Sequence, residues 1–321
     1  MPLREAQRVL QTLRDLDLAG ATMNLYLAAT DGEELRPRFA HVQITNDVAD
    51  EFREVFRTVR SRLDDDIVLR AYTPGSKPDE HEIEYVALDR VPEIANQLAP
   101  FQERLRIPVF LAEPEFVEQL RFYTLALQDG RAAPVYGFRI YTRQKELSHS
   151  RLFGLSFVRG QFNRIHDPLF LFDQYLDCIS HEGTMLVLKQ DNFQKLFRYY
   201  EMLQRTAAAT LGNIQERIPI ANFADFEAAC QGHLQKLSKL KNIAQRPYWN
   251  RITMRELKRA IKRYDLPIEV TRQNGTEMLV YDPSDRWAIL RLLDDDYLES
   301  VMTEEAYEVT GKRVHQRPRG D

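Results

Sequence analysis

The chain has 321 residues, 44% hydrophobic and 10% aromatic, enough to enclose a core as one large or two ordinary domains at roughly 100–200 residues each. With 29% charged residues and a mean hydropathy of -0.46, the composition is that of a solvated globular protein and excludes a disordered or collagen-like chain. No window approaches the roughly 18 consecutive apolar residues of a membrane helix, the N-terminus lacks a signal-peptide core, and Cys178 and Cys230 make no disulfide framework, so a soluble cytoplasmic protein is expected.

Residues 4–18 read as an amphipathic helix, with Ala6, Val9, Leu10, Leu13 and Leu16 near helical spacing. Two strands follow at 23–29 and 39–44. Thr45-Asn46-Asp47 can cap a helix to about residue 63, whose Val48, Phe52, Val55, Phe56, Val59 and Leu63 fit a 3.6 period. Strands at 67–72 and 83–88 flank a Pro/Gly-rich turn, and a helix over about 93–104 follows. Residues 120–127 and 135–141 suggest a hairpin, with further short strands at 153–158, 169–172, 175–179 and 185–189. Asp191 opens a helical stretch to about 211, and 214–264 is mostly helical. A hairpin of 268–270 and 278–281 around Asn274-Gly275 and a last helix over 283–293 complete the reading.

Strands dominate to about residue 190 and helices follow, without a regular βαβ alternation. The expected fold is therefore α+β, strand-rich in the N-terminal and middle regions and mostly helical in the C-terminal region. The expected divisions are an acidic α/β region at 1–130, a second region at 131–314 containing a basic helical segment 231–263, and a tail at 315–321.

The net charge of -4 conceals local imbalance. Residues 1–130 carry 15 basic and 24 acidic side chains, whereas 131–164 carry 7 and 1, and 231–263 carry 10 and 1. In the second island Thr253-Met254-Arg255-Glu256 has the form of a capping box. The helix it opens separates Met254, Leu257, Ile261 and Tyr264 from Arg255, Lys258, Arg259 and Lys262, with Arg263 beside them. Upstream, Leu234, Leu237 and Leu240 form an apolar stripe flanked by Lys236, Lys239 and Lys241. Arg246 and Arg251 fill the connection, next to Tyr248 and Trp249.

Crowded cations repel one another, and a polyanion that releases its counterions compensates them. On that reading the ten basic residues from Lys236 to Arg263 contact phosphates and Tyr248 or Trp249 stack on bases. The first island (Arg131, Arg139, Arg143, Lys145, Arg151, Arg159 and Arg164) could extend the surface. Two alternatives stay open: the face meets an acidic protein or an anionic membrane, or it is merely solvated or paired with acids such as Asp294-Asp295-Asp296.

Catalytic signals are sparse. No G-x-G-x-x-G or G-x-S-x-G occurs, and no phosphate loop precedes Gly311-Lys312. Cys178 and His181 have the spacing of a ligand pair but lack a second pair, so no metal and no cofactor are expected. Ser148-His149-Ser150, His166-Asp167 and Asp64-Asp65-Asp66 read as loop residues. The enzyme alternative is a metal-dependent nuclease built on Asp173, Asp177, Glu182 and Lys189, although Val187 stands where such a motif places an acid.

Residues 169–205 (LFLFDQYLDCISHEGTMLVLKQDNFQKLFRYYEMLQR) carry Phe172, Asp173 and Asp177, then the apolar run 185–188, then Asn192, Phe193, Leu196 and Phe197. Residues 290–314 carry Leu292, Leu293, Asp295, Leu298, Ser300, Thr303, Tyr307 and Lys312. In these patterns the region of about 130–314 resembles the KwaB-like family, the soluble component of the Kiwa anti-phage system. The resemblance supplies no catalytic residue. It implies a homodimer that binds DNA, docks on the membrane protein KwaA at the inner membrane and impedes phage replication or transcription. The combined expectation is a non-enzymatic DNA-binding effector.

Overall fold

A computed structural model describes residues 2–30, 36–63, 66–75, 78–111, 113–130, 133–142, 155–158, 161–164, 170–246, 249–299 and 306–308. The chain forms two compact units, Met1–Tyr199 and Tyr200–Asp321. The fold is α+β, as the order of strand and helix patterns led us to expect.

The first unit contains α1 (Pro2–Asp15), β1 (Thr22–Ala29), β2 (Arg38–Val42), α2 (Asn46–Arg60), β3 (Val68–Ala71) and β4 (Glu82–Ala87). Three short helices follow, α3 (Pro92–Gln97), α4 (Ala99–Gln102) and α5 (Pro114–Glu118). Then come β5 (Leu120–Gln128), β6 (Val135–Ile140), β7 (Leu155–Val158), β8 (Gln161–Arg164), β9 (Cys178–His181), β10 (Thr184–Val187) and α6 (Gln190–Leu196). Eight strands make one sheet in the order β2-β1-β5-β6-β9-β10-β4-β3, antiparallel except for β3–β4. The separate β7–β8 pair is a two-stranded ribbon.

One sheet face is buried by α1 and α2. Val9, Leu10 and Leu13 of α1 and Phe52, Val55, Phe56 and Val59 of α2 meet Leu25, Leu27, Tyr123, Leu125, Leu127 and Ile179. The opposite face is aromatic. Phe122 and Phe138 pack at 6.2 and 5.8 Å from Phe197, and Phe39 lies 4.7 Å from Phe101. Offset and edge-on rings of this kind add to the burial of their area. A Cβ on Gly137 would sit 2.7 Å from Leu176 Cδ1 and 3.1 Å from Phe56 Cζ, so the strand needs glycine for close approach.

The second unit contains α7 (Tyr199–Arg217), β11 (Ile220–Ala221), α8 (Phe223–Gln231), α9 (Leu234–Gln245), α10 (Met254–Arg263), β12 (Val270–Gln273), β13 (Thr276–Val280), α11 (Ala288–Leu293), β14 (Tyr297–Glu299) and β15 (Ala306–Glu308). Its core is formed by Phe226, Leu237, Leu240, Ile243, Leu257, Leu279, Leu290 and Leu293. β12 and β13 form an antiparallel hairpin, and β11 pairs in parallel with β13.

Several expected boundaries move. A division at 130/131 would part the paired strands β5 and β6, and the break between compact units comes at 199/200. Sheet pairing overrides the change of composition there. Residues 170–172 form no strand: Phe170 and Phe172 pack on the core from irregular backbone, and β9 takes the place beside β6. The helix expected from 191 is two helices, parted at Arg198, whose φ of 49° is left-handed. The helix expected over 93–104 is likewise divided into α3 and α4 around Leu98. The tail and residues 143–154 lie outside the described residues.

Candidate nucleic-acid interface

The two basic helices of the second unit have opposite fates. In α9 Leu237 and Leu240 are buried and Leu234 is half-buried, and the flanking lysines are buried with them. Lys236 is 3% exposed; its ammonium donates to the Ala229 carbonyl at 3.0 Å and lies 5.3 Å from the Trp287 ring. Burial lowers its pKa. The Lys239 ammonium is ion-paired with Asp294, at 3.1 Å, and with Asp296. Arg246 donates through Nε and Nη2 to Asp294 Oδ1, at 2.9 and 2.7 Å. Lys241 is also buried. Lys236, Lys239, Lys241 and Arg246 are therefore removed from the phosphate-contacting surface expected of them. Buried charge is held only where it is paired and hydrogen-bonded, and the Asp294–Asp296 run supplies the acids.

Trp249 is 5% exposed, with the Arg217 guanidinium 5.9 Å from its ring, so it offers no stacking face. Tyr248 lies outside the described residues. Arg251 is exposed beside the start of α10.

Helix α10 keeps its cations outside. Thr253 Nα donates to Glu256 Oε2 at 2.8 Å, and Glu256 Nα donates to Thr253 Oγ1 at 3.4 Å, completing the capping box. The Thr253 hydroxyl, which donates to Glu256 Oε2 at 2.9 Å, and then the Thr253 amide hold the Glu256 carboxyl below its ordinary range. The single acid of the helix is thus engaged at its N-terminus. Leu257 turns into the core, while Arg255, Lys258, Arg259, Lys262 and Arg263 are exposed. Lys258 pairs with Glu277 of β13 at 2.7 Å. The Arg263 guanidinium lies 5.7 Å from the Tyr264 ring. Arg255, Arg259 and Lys262 have no carboxylate within 4.0 Å among the described residues. Spaced three and four apart, they share one helix face.

The carboxylates of the nuclease alternative are differently employed. Arg139 donates through Nε to Asp173 at 2.7 Å and through Nη1 to Asp177 at 2.6 Å. Asp177 is fully buried and also accepts from Asn192 Nδ2 at 2.7 Å and the Ile140 amide at 2.8 Å. Its backbone carbonyl accepts from the Leu188 and Lys189 amides. Asp177 is therefore a latch joining β6, the start of β9 and α6. Glu182 stands in the turn just past the far end of β9 from Asp177, and Lys189 lies over the Tyr175 ring. Cys178 and His181, three apart on β9, fall on opposite sheet faces, and burial pushes the Cys178 thiol up. Among the described residues no group of three His, Cys, Asp or Glu could hold a metal.

In the first unit a cleft of about 630 Å³ runs past Leu98, Phe101, Arg104, Tyr136 and Ser180. Its charged lining is Glu5, Asp89, Glu182 and Arg104, a balance unfavourable to a polyanion. Arg139 of the first basic island is internal, Arg164 lies in β8, and Arg131, Arg143, Lys145, Arg151 and Arg159 fall outside the described residues.

Residues 118–303 match the family described as Kiwa protein KwaB-like. The chain belongs to this family. Membership implies a component of a Kiwa anti-phage defence system. No curated protein and no solved structure matches the chain. The KwaB-like stretch runs from the approach to β5 past β14, and so takes in both the Asp177 latch and α10. No helix among the described residues is long and apolar enough to cross a membrane. The Arg139–Asp177 latch of the KwaB-like stretch joins partners 38 positions apart and has no local signal in the sequence. For Glu277, the partner of Lys258, the nearby Asn274-Gly275 dipeptide was the available signal, since such a pair sets a tight hairpin.

Proposed function

We propose that this KwaB-like chain is a non-enzymatic effector that binds the DNA backbone through the exposed face of α10. One observation carries the reading: Arg255, Arg259 and Lys262 share a face with no acid within 4.0 Å among the described residues, on a helix whose own glutamate is engaged in its cap. Arg251 and Arg263 flank that face, and Lys258 is fastened to Glu277. Contacts of this kind neutralise phosphates without reading bases, so binding is tolerant of sequence. Occupancy of an invading genome would then obstruct its replication or transcription. No metal or cofactor is invoked. In this proposal a homodimer is recruited to the inner membrane by the membrane protein KwaA, as the family's character suggests.

A mobility-shift titration of the intact protein at two salt concentrations, with and without Mg²⁺, tests it. The expected result is a shifted, uncut band whose log affinity falls with log salt by about 0.9 per phosphate neutralised. Arg255→Glu/Arg259→Glu/Lys262→Glu should abolish the shift with an unchanged circular dichroism spectrum, because these side chains face away from Leu257. Retained binding by the folded triple variant would overturn the assignment. Cleavage that requires Mg²⁺ and is lost in Asp177→Asn would favour the nuclease instead. No shift together with co-sedimentation on anionic vesicles would favour a membrane-surface adaptor.

A further inference from the structure

The aromatic face of the sheet ends in a cleft that the DNA-binding reading does not use. This cleft, of about 630 Å³, adjoins a recess of about 240 Å³, and the two share Phe101, Arg104, Pro134 and Tyr136. Small-ligand sites have volumes of about 300–1,000 Å³. The room comes from small side chains. Across the sheet, Ala126 of β5 stands opposite Tyr136 of β6, which in turn stands opposite Ser180 of β9. Tyr136 is thus flanked by two short side chains, with the Phe101 ring 5.0 Å from its own. Two backbone hydrogen bonds set the rim. The Leu88 amide donates to the Gly183 carbonyl at 2.8 Å, joining the turns that carry Asp89 and Glu182. The Leu105 amide donates to the Pro100 carbonyl at 2.9 Å, closing the turn that carries Arg104.

The polar groups around this space are unspent. Ser180 is 6% exposed and lines the cleft, yet its hydroxyl makes no hydrogen bond among the described residues. A buried hydroxyl is ordinarily partnered. Arg104, held at a left-handed φ of 51°, has no hydrogen bond and no carboxylate within 4.0 Å among the described residues. Glu5 and Asp89 likewise have no cation within 4.0 Å among them. The lining also separates the two signs of charge. Glu5, Asp89 and Glu182 border only the larger cleft, whereas Arg104 borders the recess as well, beside the Asn24 and Gln128 amides.

We propose that this cleft binds a small zwitterion with a guanidinium at one end and a carboxylate at the other, of which arginine is the simplest. Three acids against one arginine favour a ligand cation in the larger cleft. There a planar guanidinium stacks on the Tyr136 or Phe101 ring and forks to the Asp89 carboxylate. The ligand carboxylate meets Arg104, a pairing that is frequently bidentate. The Asn24 side-chain carbonyl accepts from the α-ammonium, and the Ser180 hydroxyl gains the partner it lacks. A nucleotide fits less well, because its phosphate would enter a field dominated by acids. The site is separate from α10 and does not depend on the DNA-binding reading.

Isothermal titration calorimetry of the full chain with L-arginine, with agmatine, which lacks the carboxylate, and with citrulline, which lacks the side-chain charge, tests this. Arginine should bind about tenfold or more tightly than either, since each analogue loses a charge-assisted hydrogen bond. Arg104→Asn, which keeps a side chain tolerated at left-handed φ, should erase the preference over agmatine and keep that over citrulline. Asp89→Asn should reduce the preference over citrulline and keep that over agmatine. Ser180→Ala should weaken arginine binding several-fold with an unaltered melting temperature. Equal binding of the three ligands by wild type, no binding of arginine, or preferences unchanged in both charge variants would overturn the proposal. The α10 triple variant should bind arginine as wild type does. Loss of binding there would place the ligand on the basic helix and overturn the cleft.

Discussion

Lys239 and Arg255 belong to the same basic run, yet they stand in opposite environments. Lys239 is enclosed between Asp294 and Asp296, so Lys239→Ala removes the cation shared by two buried carboxylates, although Asp294 keeps its pair with Arg246. Removing one partner of a buried pair costs about 3–5 kcal/mol, whereas Arg255→Ala on the exposed face should cost less than about 0.5 kcal/mol. Urea denaturation of the two variants measures the contrast, and DNA titration should show the reverse order. Equal stabilities would mean that Lys239 is not bound as described. No feature of the local sequence separates these two residues, because the acids that enclose Lys239 lie 55 and 57 positions further on.

At the scale of the element, α10 was legible and α9 was only half so. The spacing of Leu257 and Ile261 against the arginines gave α10 its faces, and Thr253-Met254-Arg255-Glu256 gave its start, since both depend on neighbours within one turn. In α9 the same periodicity puts Leu237 and Leu240 inside, as found, but leaves its lysines in water, where the structure buries them. A helix surrounded by protein buries its flanks too, and periodicity does not report how many neighbours a helix has. The cap has a measurable pH signature. Thr253 holds the Glu256 carboxyl below its ordinary range. A carboxylate depressed in the folded state contributes stability that is present above its unfolded pKa and is lost as pH falls through the folded one. Melting curves of wild type and Glu256→Ala should therefore differ at pH 7 and converge as the solution is acidified below the carboxylate range. A gap that is constant with pH would show that the cap contributes nothing through its charge. Thr253→Ala should cost about 0.5–2 kcal/mol by the same measurement.

For the whole molecule, each compact unit encloses its own core, and each has one substitution that probes it. In the sheet unit, Gly137→Ala forces a methyl against Leu176 and Phe56 and should cost about 1–3 kcal/mol. In the helical unit Lys239→Ala acts on the buried ion cluster. The two sites share no partner, so the double variant should lose the sum of the single losses to within about 0.5 kcal/mol in equilibrium denaturation. A larger departure would reveal coupling between the cores. The α+β class, α1, α2, the β5–β6 pairing, the Asn274-Gly275 turn and the cap of α10 followed from sequence alone. Each is set by spacing and by residue chemistry within a few positions. Tertiary structure alone decided the eight-strand order, the seat of Asp177 between β6 and α6, and which cations remain outside. Those outcomes depend on groups brought together from distant parts of the chain, where burial forces a charge to find a partner and an exposed helix face leaves it in water.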